Sequence, residues 1–291
     1  MRTVFAGADS DYRNARYVIS GVPFDATSRL RKGSSAAPHE IRKNSYNFET
    51  YSHLFDIDLL DIDIHDAGDL EVAQTVDETL SLISFHARKY VDGGKIPVML
   101  GGEHSITLPF VQACKNKYPE LGFIVFDAHL DMRKEYQGEM NSHACVLRHV
   151  FENVTKKFVF IGTRSGTREE YEFVRENGIK MFSSEEVLSA GIEAAVAEIR
   201  EYLACPIYLS IDMDVMDPAY ASAVGTPQPY GLMPRDVRDV ISCFAPYFVG
   251  FDLVEITPSY DSGGTALLGA KLVMDFIAAS ARASQVPAQP F

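Results

Sequence analysis

The chain has 291 residues, 46% apolar and 23% charged, and a formal net charge of −13. These values suit a soluble globular protein with a full core. The acidity argues against nucleic acid, whose phosphates require a basic surface, and is compatible with a small cationic partner. No stretch approaches the length of a membrane span and the N-terminal residues lack the apolar run of a signal peptide, so no membrane contact is expected. Cys114, Cys145, Cys205 and Cys243 are scattered without CxxC pairing, which reads as reduced, buried thiols of a cytoplasmic chain.

In chain order, strand-like segments at Tyr17–Ser20 and Ile57–Ile62 precede a helical pattern over Thr79–Tyr90. A strand at Ile96–Leu100, a helix over Ile106–Lys117 and strands at Gly122–Phe126 and Phe158–Ile161 follow. Helices over Arg168–Asn177 and Ile192–Leu203 lead to a strand at Ile207–Ile211. A helix opened by Pro234 runs to Cys243, a strand covers Phe248–Val254, and a helix spans Ala270–Ala283. Proline suits the first helical turn, where no backbone donor is needed. Continuous apolar strands separated by helices predict an α/β fold, a three-layer α/β/α sandwich with a mainly parallel central sheet. No internal repeat or linker interrupts it, so residues 1–291 read as one domain.

Three strand ends carry chemistry. Leu100-Gly101-Gly102-Glu103-His104-Ser105 follows one apolar run, Asp127-Ala128-His129-Leu130-Asp131 follows Phe123–Phe126, and Asp212-Met213-Asp214 follows Ile207–Ile211. Ligands of open α/β sheets collect beyond the carboxyl ends of the strands. If the chain stays extended past each strand, period-two spacing puts Asp127, His129 and Asp131 on one side and Asp212 with Asp214. Charged groups there are costly unless paired. Four aspartates with two neutral imidazoles balance two divalent cations, and an oxygen-rich set without thiolate favours Mn²⁺ over structural zinc. A lone DxD is usually a solvated loop; three strand ends with the pattern are not.

Two similar patterns read differently. Asp61-Ile62-Asp63-Ile64-His65 alternates too, but it lies in the acidic stretch Asp56–Asp69 and reads as a half-exposed edge strand and turn. Asp212 and Asp214 match the first positions of a calcium-binding loop, yet Asp217 stands at its required glycine and Ala223 at its terminal glutamate, so an EF-hand is rejected. His39, His53, His65, His86 and His149 read as ordinary packed or exposed histidines.

The blocks GGEHS (101–105), FDAHLDMR (126–133), SIDMDVMDP (210–218) and DLVEITPSYD (252–261) resemble the signatures of the ureohydrolases, the arginase/agmatinase family. GVPFDATSRLRKGSSAAPHEIR (21–42) resembles the opening block of the agmatinase branch. The similarity covers most of the chain in the family's order. It implies an arginase-like sandwich, one ureohydrolase catalytic domain over 1–291, two Mn²⁺ per subunit and a homo-trimer or homo-hexamer. By motif, His104, Asp127, Asp131 and Asp212 would hold one manganese, and His129, Asp127, Asp212 and Asp214 the other, with Asp127 and Asp212 bridging. A hydroxide between the metals, oriented by Asp131, would attack a guanidinium carbon.

The resemblance also gives Glu255 the substrate guanidinium, for which a carboxylate is the natural bidentate partner. It places His143 where the family has a loop histidine near the substrate, able to carry a proton to the leaving amine. Arginases have an asparagine two residues after the last aspartate of DAHxD, and Arg133 stands here. This implies agmatine as the small cationic guanidino substrate, giving putrescine and urea; aminopropyl-agmatine, guanidinobutyrate and arginine are the alternatives. Glu103, Gln228 and Tyr230 depart from the family pattern, the last two in a loop expected to border the pocket. A single-metal zinc deacetylase and a non-catalytic metal- or polyamine-binding protein are the readings of other classes.

Overall fold

The apolar runs become strands buried on both faces. The computed structural model describes residues 3–285. Its elements are β1 (Tyr17–Gly21), α1 (Ala37–Ser45), β2 (Tyr51–Ser52), β3 (Ile57–Asp58), β4 (Ile64–Asp69), α2 (Val76–Asp92), β5 (Ile96–Leu100) and α3 (Thr107–Lys117). Then come β6 (Gly122–Phe126), α4 (Val146–Asn153), β7 (Phe158–Thr163), α5 (Arg168–Glu176), β8 (Lys180–Ser183), α6 (Ser184–Ala190) and α7 (Ile192–Tyr202). The chain continues through β9 (Ile207–Asp212), α8 (Pro234–Phe244), β10 (Phe248–Val254) and α9 (Gly264–Gln285).

Eight strands form one sheet in the order β4-β1-β5-β10-β9-β6-β7-β8, and every neighbouring pair is parallel. Alternate residues of one strand serve two cores. Ile124 and Phe126 of β6 belong to the core that also holds side chains of α1, α7, α8 and α9, while Phe123 and Val125 belong to the one on the other face, with side chains of α2, α3 and α4. This is the expected three-layer α/β/α sandwich, and it explains why the central strands read as unbroken apolar runs.

The expected strand at Ile57–Ile62 divides. Ile57–Asp58 pairs antiparallel with Tyr51–Ser52, and the Asp58 side chain accepts the Leu60 N–H, turning the chain into a 3-10 turn at Leu59–Asp61. The strand proper is β4, at the sheet edge, with buried and half-buried positions alternating from Ile64 to Gly68. The DIDIH segment is thus the turn and edge strand its composition suggested. Short elements escaped the sequence pattern: α1, α4, α6 and β8 have four to nine residues each.

One expectation needs correcting. The last helix is 22 residues long rather than the 14 of Ala270–Ala283, and by length and composition it could cross a membrane. It is instead a core helix: 78% of its most apolar window is buried against the rest of the protein. All four cysteines are free thiols.

Next to β4 lies a buried ion cluster. Arg42 of α1 donates from Nε and Nη2 to Asp66 at 2.8 and 3.0 Å, and from Nη1 to Asp69 at 2.6 Å. Asp66 also accepts the Phe5 and Gly68 N–H groups. The Arg42 side chain is only 3% exposed, so removing its charge leaves Asp66 buried without its cation. Arg42→Met should lower unfolding free energy by about 3 to 5 kcal/mol, read from the shift in the urea midpoint.

Candidate active site

Register decides which strand ends meet. In the centre of the sheet Leu100 pairs with Leu253, Leu253 with Ile211, and Ile211 with Phe126. The next residues of three of these strands are therefore Val254, Asp212 and Asp127, level with one another at the carboxyl edge. His104 follows β5 through Gly101-Gly102-Glu103, and Glu255 follows β10. Four adjacent strands thus deliver the four blocks singled out in the sequence.

The close approach of β5 and its neighbours is set by glycine. A Cβ on Gly102 would lie 1.9 Å from the Phe24 carbonyl oxygen, so no larger residue fits while Glu103 N–H donates to that oxygen at 2.8 Å.

The two DxD-type segments work by turns rather than by extended alternation. The His129 N–H donates to Asp127 Oδ1 at 2.6 Å, and the Asp214 N–H donates to Asp212 Oδ1 at 2.9 Å. Each aspartate thereby bends the chain two residues on, which is the local habit of this side chain. β9 ends at Asp212, and Met213–Val215 form a 3-10 turn. Asp131 reaches the cluster because its backbone adopts φ 45°, and Glu255 because its own is at φ 65°. Left-handed conformations are costly for such residues and collect at functional sites.

The result is two adjoining groups, His104 with Asp127 and Asp212, and Asp127 with His129 and Asp214. His104 Nδ1 lies 3.2 Å from Asp127 Oδ2, 3.4 Å from Asp212 Oδ2 and 3.6 Å from Asp131 Oδ2. His129 Nδ1 is 2.8 Å from Asp214 Oδ2 and 3.7 Å from Asp127 Oδ1. Burial, then Asp131 and Asp214, pushes the Asp127 carboxyl up to about 7. Burial with Asp214 and Asp127 raises Asp212 well above the carboxylate range. Burial disfavours the His129 cation, but Asp214 and Asp127 outweigh it and push the ring up to about 11.

These residues fit a pair of cations. His104 Nδ1 and Asp127 Oδ2 are wholly buried yet make no hydrogen bond among the described residues, and such atoms call for another partner. The other nitrogen of His104 is already engaged: Nε2 is 3.0 Å from Ser210 Oγ, which donates to Asp252 Oδ1 at 2.6 Å. That relay puts the proton on Nε2 and leaves Nδ1 bare toward the aspartates, the orientation metal-binding imidazoles usually have. His129 Nε2 faces the Gln228 side-chain amide at 3.3 Å.

Beside the cluster opens a cleft of about 270 Å³, bordered by His129, Asp131, Asp212, Asp214, His143 and Glu255. Glu255 Oε1 accepts the His104 N–H at 2.8 Å, and Oε2 is what a Cβ at Gly225 would meet at 3.1 Å. Burial, then Asp212 and Glu103, raises the Glu255 carboxyl well above its usual range. Arg133 also borders the cleft, its guanidinium 5.2 Å above the Tyr136 ring. His39, His53, His65, His86 and His149 are not among the residues that border it.

The arginase family model matches residues 15–279. The chain belongs to the arginase family. An agmatine ureohydrolase of Thermoplasma volcanium has a solved structure that superposes with a TM-score of 0.93 at 39% identity, covering 98% of this chain and 96% of that one. An N(1)-aminopropylagmatine ureohydrolase of Thermococcus kodakarensis is 37% identical over 92% of each chain. An agmatinase of Bacillus anthracis is 34% identical over 94% of this chain and 95% of its own. As an arginase-family protein the chain is a hydrolase of the C–N bonds of amidines.

Sequence reading missed the residue that ties this arginase-family site together. Arg164 follows β7 and aims its five N–H groups at six backbone carbonyls, those of Gly162, Asp214, Val215, Met216, Gln228 and Pro229, at 2.8 to 3.3 Å, with Nη2 shared among three. It fastens the turn after Asp212 to the loop that carries Gln228. Glu170, missed as well, accepts the Met132 N–H at 3.0 Å while closing the capping box of α5 with Thr167. Thr167-x-x-Glu170 was a readable capping signal; its reach to residue 132 was not. Arg164→Lys cannot span six carbonyls with one ammonium and should lower unfolding free energy by about 3 kcal/mol, seen in denaturant titration of the metal-free protein.

Proposed function

We propose that the chain hydrolyses the guanidinium of agmatine to putrescine and urea, as one catalytic domain acting in the cytoplasm and assembled as a trimer or hexamer. The observation that carries the reading is Glu255: a buried carboxylate, held in a left-handed conformation, that borders the cleft beside two groups of metal-ligating side chains. A carboxylate so placed binds a planar guanidinium by two parallel hydrogen bonds. The relatives named for agmatine, 34 to 39% identical over nearly the whole chain, support the same substrate.

His104, Asp127, Asp131 and Asp212 would hold one Mn²⁺, and His129, Asp127, Asp212 and Asp214 the other. Bound there, the pair supplies hydroxide at neutral pH by lowering the pKa of water. Guanidinium is resonance-stabilised and cationic, so the protein must present it in a fixed orientation. Glu255 does this from one side of the cleft, and Asp131 accepts a hydrogen bond from the attacking oxygen. The proton of the attacking oxygen leaves by way of Asp131. His143, after taking up a proton from the cleft, passes it to the departing amine nitrogen as the C–N bond breaks, so that one proton gained offsets one lost and a neutral amine and urea remain.

A second reading concerns the tail. Arg29, Arg31 and Arg133 border the cleft, and among the described residues the carboxylates that border it are Asp131, Asp212, Asp214 and Glu255. That rim suits a carboxylate, as in guanidinobutyrate, better than a second cation.

A urea-release assay with Mn²⁺ over agmatine, aminopropyl-agmatine, guanidinobutyrate and arginine tests both readings. Agmatine should be the best substrate, guanidinobutyrate in that place would establish the second reading, and silence on all four would refute both. Chelation should abolish activity and Mn²⁺ restore it, while Asp127→Ala should bind fewer than two ions and release no urea above background. Glu255→Gln should keep its manganese and lose about 10²-fold in kcat/KM, measured by steady-state kinetics beside metal analysis.

A further inference from the structure

Glu103 is the acidic member of the GGEHS block, and it has no place in either metal-ligating group. Its carboxylate is fully buried, and donors surround it. Oε2 accepts the Thr27 N–H at 2.7 Å, the Ser28 N–H at 2.9 Å and the Ser28 hydroxyl at 3.3 Å. Oε1 accepts the Thr27 hydroxyl at 2.5 Å and the Ser105 hydroxyl at 2.7 Å.

The Thr27 hydroxyl is the link to the cleft. It has one proton, which goes to Glu103. Its oxygen accepts the His143 backbone N–H at 3.1 Å and lies 2.9 Å from His143 Nδ1. An oxygen that has already given its proton can only accept from Nδ1, so Nδ1 carries a hydrogen. In the neutral ring Nε2 is then the bare nitrogen, and the ring borders the cleft. The arrangement is the mirror of the His104–Ser210–Asp252 relay, a hydroxyl between an imidazole and a buried carboxylate, with the opposite ring nitrogen bound.

We infer that Glu103 and Thr27 are positioning residues that fix the Nδ1–H tautomer of His143 and so reserve Nε2 for the proton that enters and leaves through the cleft. This rests on His143 as the proton carrier of the proposed reaction. A ring in the other tautomer would present N–H where it must first accept a proton, and a wrong tautomer is severe in catalysis even when geometry is kept.

Glu103→Gln gives a sharp test because an amide cannot satisfy the same donors. Its oxygen must face the two backbone N–H groups, so its NH₂ faces Thr27, whose hydroxyl then donates to His143 Nδ1. The ring proton moves to Nε2. ¹⁵N shifts of labelled histidine report this directly in the metal-free and Mg²⁺-loaded protein, with His143→Asn assigning the signals. Nδ1 should be protonated in the native chain and Nε2 in Glu103→Gln, with kcat about 10²-fold lower and KM little changed. Thr27→Val should also lower kcat and lose the tautomer preference, and Thr27→Ser should rescue both, so these two carry the test if Glu103→Gln does not fold. Native His143 protonated on Nε2, or a tautomer reversal that leaves kcat untouched, would overturn the inference. Full urea release by His143→Asn would instead overturn the proton-carrier reading, whatever the tautomer.

Discussion

The structure is organised around a repulsion. Asp127, Asp131, Asp212 and Asp214 converge at the buried edge of one sheet, with Glu255 close by, and like charges in such a place oppose one another strongly. Burial first, and that opposition after it, raises the carboxyls of Asp127, Asp212 and Glu255. Nothing in the aspartates themselves would keep them there. Parallel register levels three strand ends, backbone N–H groups tie down two carboxylates, and Arg164 pins the turn and loop around them. The strained backbones of Asp131 and Glu255 are tolerated because packed strands and capped turns surround them.

The central sheet was legible because its strands are buried on both faces and therefore show as unbroken apolar runs. The same rule hid β8 and β4, edge strands with half-buried positions, and Ile57–Ile62 misled because Asp58 folds back onto the backbone. The site blocks were legible through their residue types. Their geometry was only half so: strand alternation predicted that Asp127, His129 and Asp131 share a side, whereas two Asx-type turns and a left-handed residue bring the cluster together. Ser210 and Asp252 could have been noticed as polar residues inside apolar strands. Arg164 gave no signal, since its partners are carbonyls, which every sequence has everywhere.

Two relays of one design recur at the site. His104 is held through Ser210 by Asp252, and His143 through Thr27 by Glu103. In each a hydroxyl with one proton to give converts a fixed carboxylate into a fixed imidazole proton. The opposite ring nitrogens are bound, so one ring turns bare Nδ1 to the cluster of aspartates and the other keeps bare Nε2 for the cleft. Hydrogen-bond direction, more than distance, decides which ring nitrogen each histidine offers.

The place of β10 in the sheet has a consequence for how the chain comes to be folded. β10 is the last strand among the described residues, yet it lies between β5 and β9, in the middle. Before residue 254 emerges from the ribosome, β4-β1-β5 and β9-β6-β7-β8 can exist only as two separate half-sheets, each ending in a bare parallel edge. Those edges are long-range partners with no covalent shortcut between them, so closure is slow and the open halves invite pairing with other chains. The strand that joins the halves also brings Glu255, and assembly of the sheet and of the site is therefore one late event in synthesis.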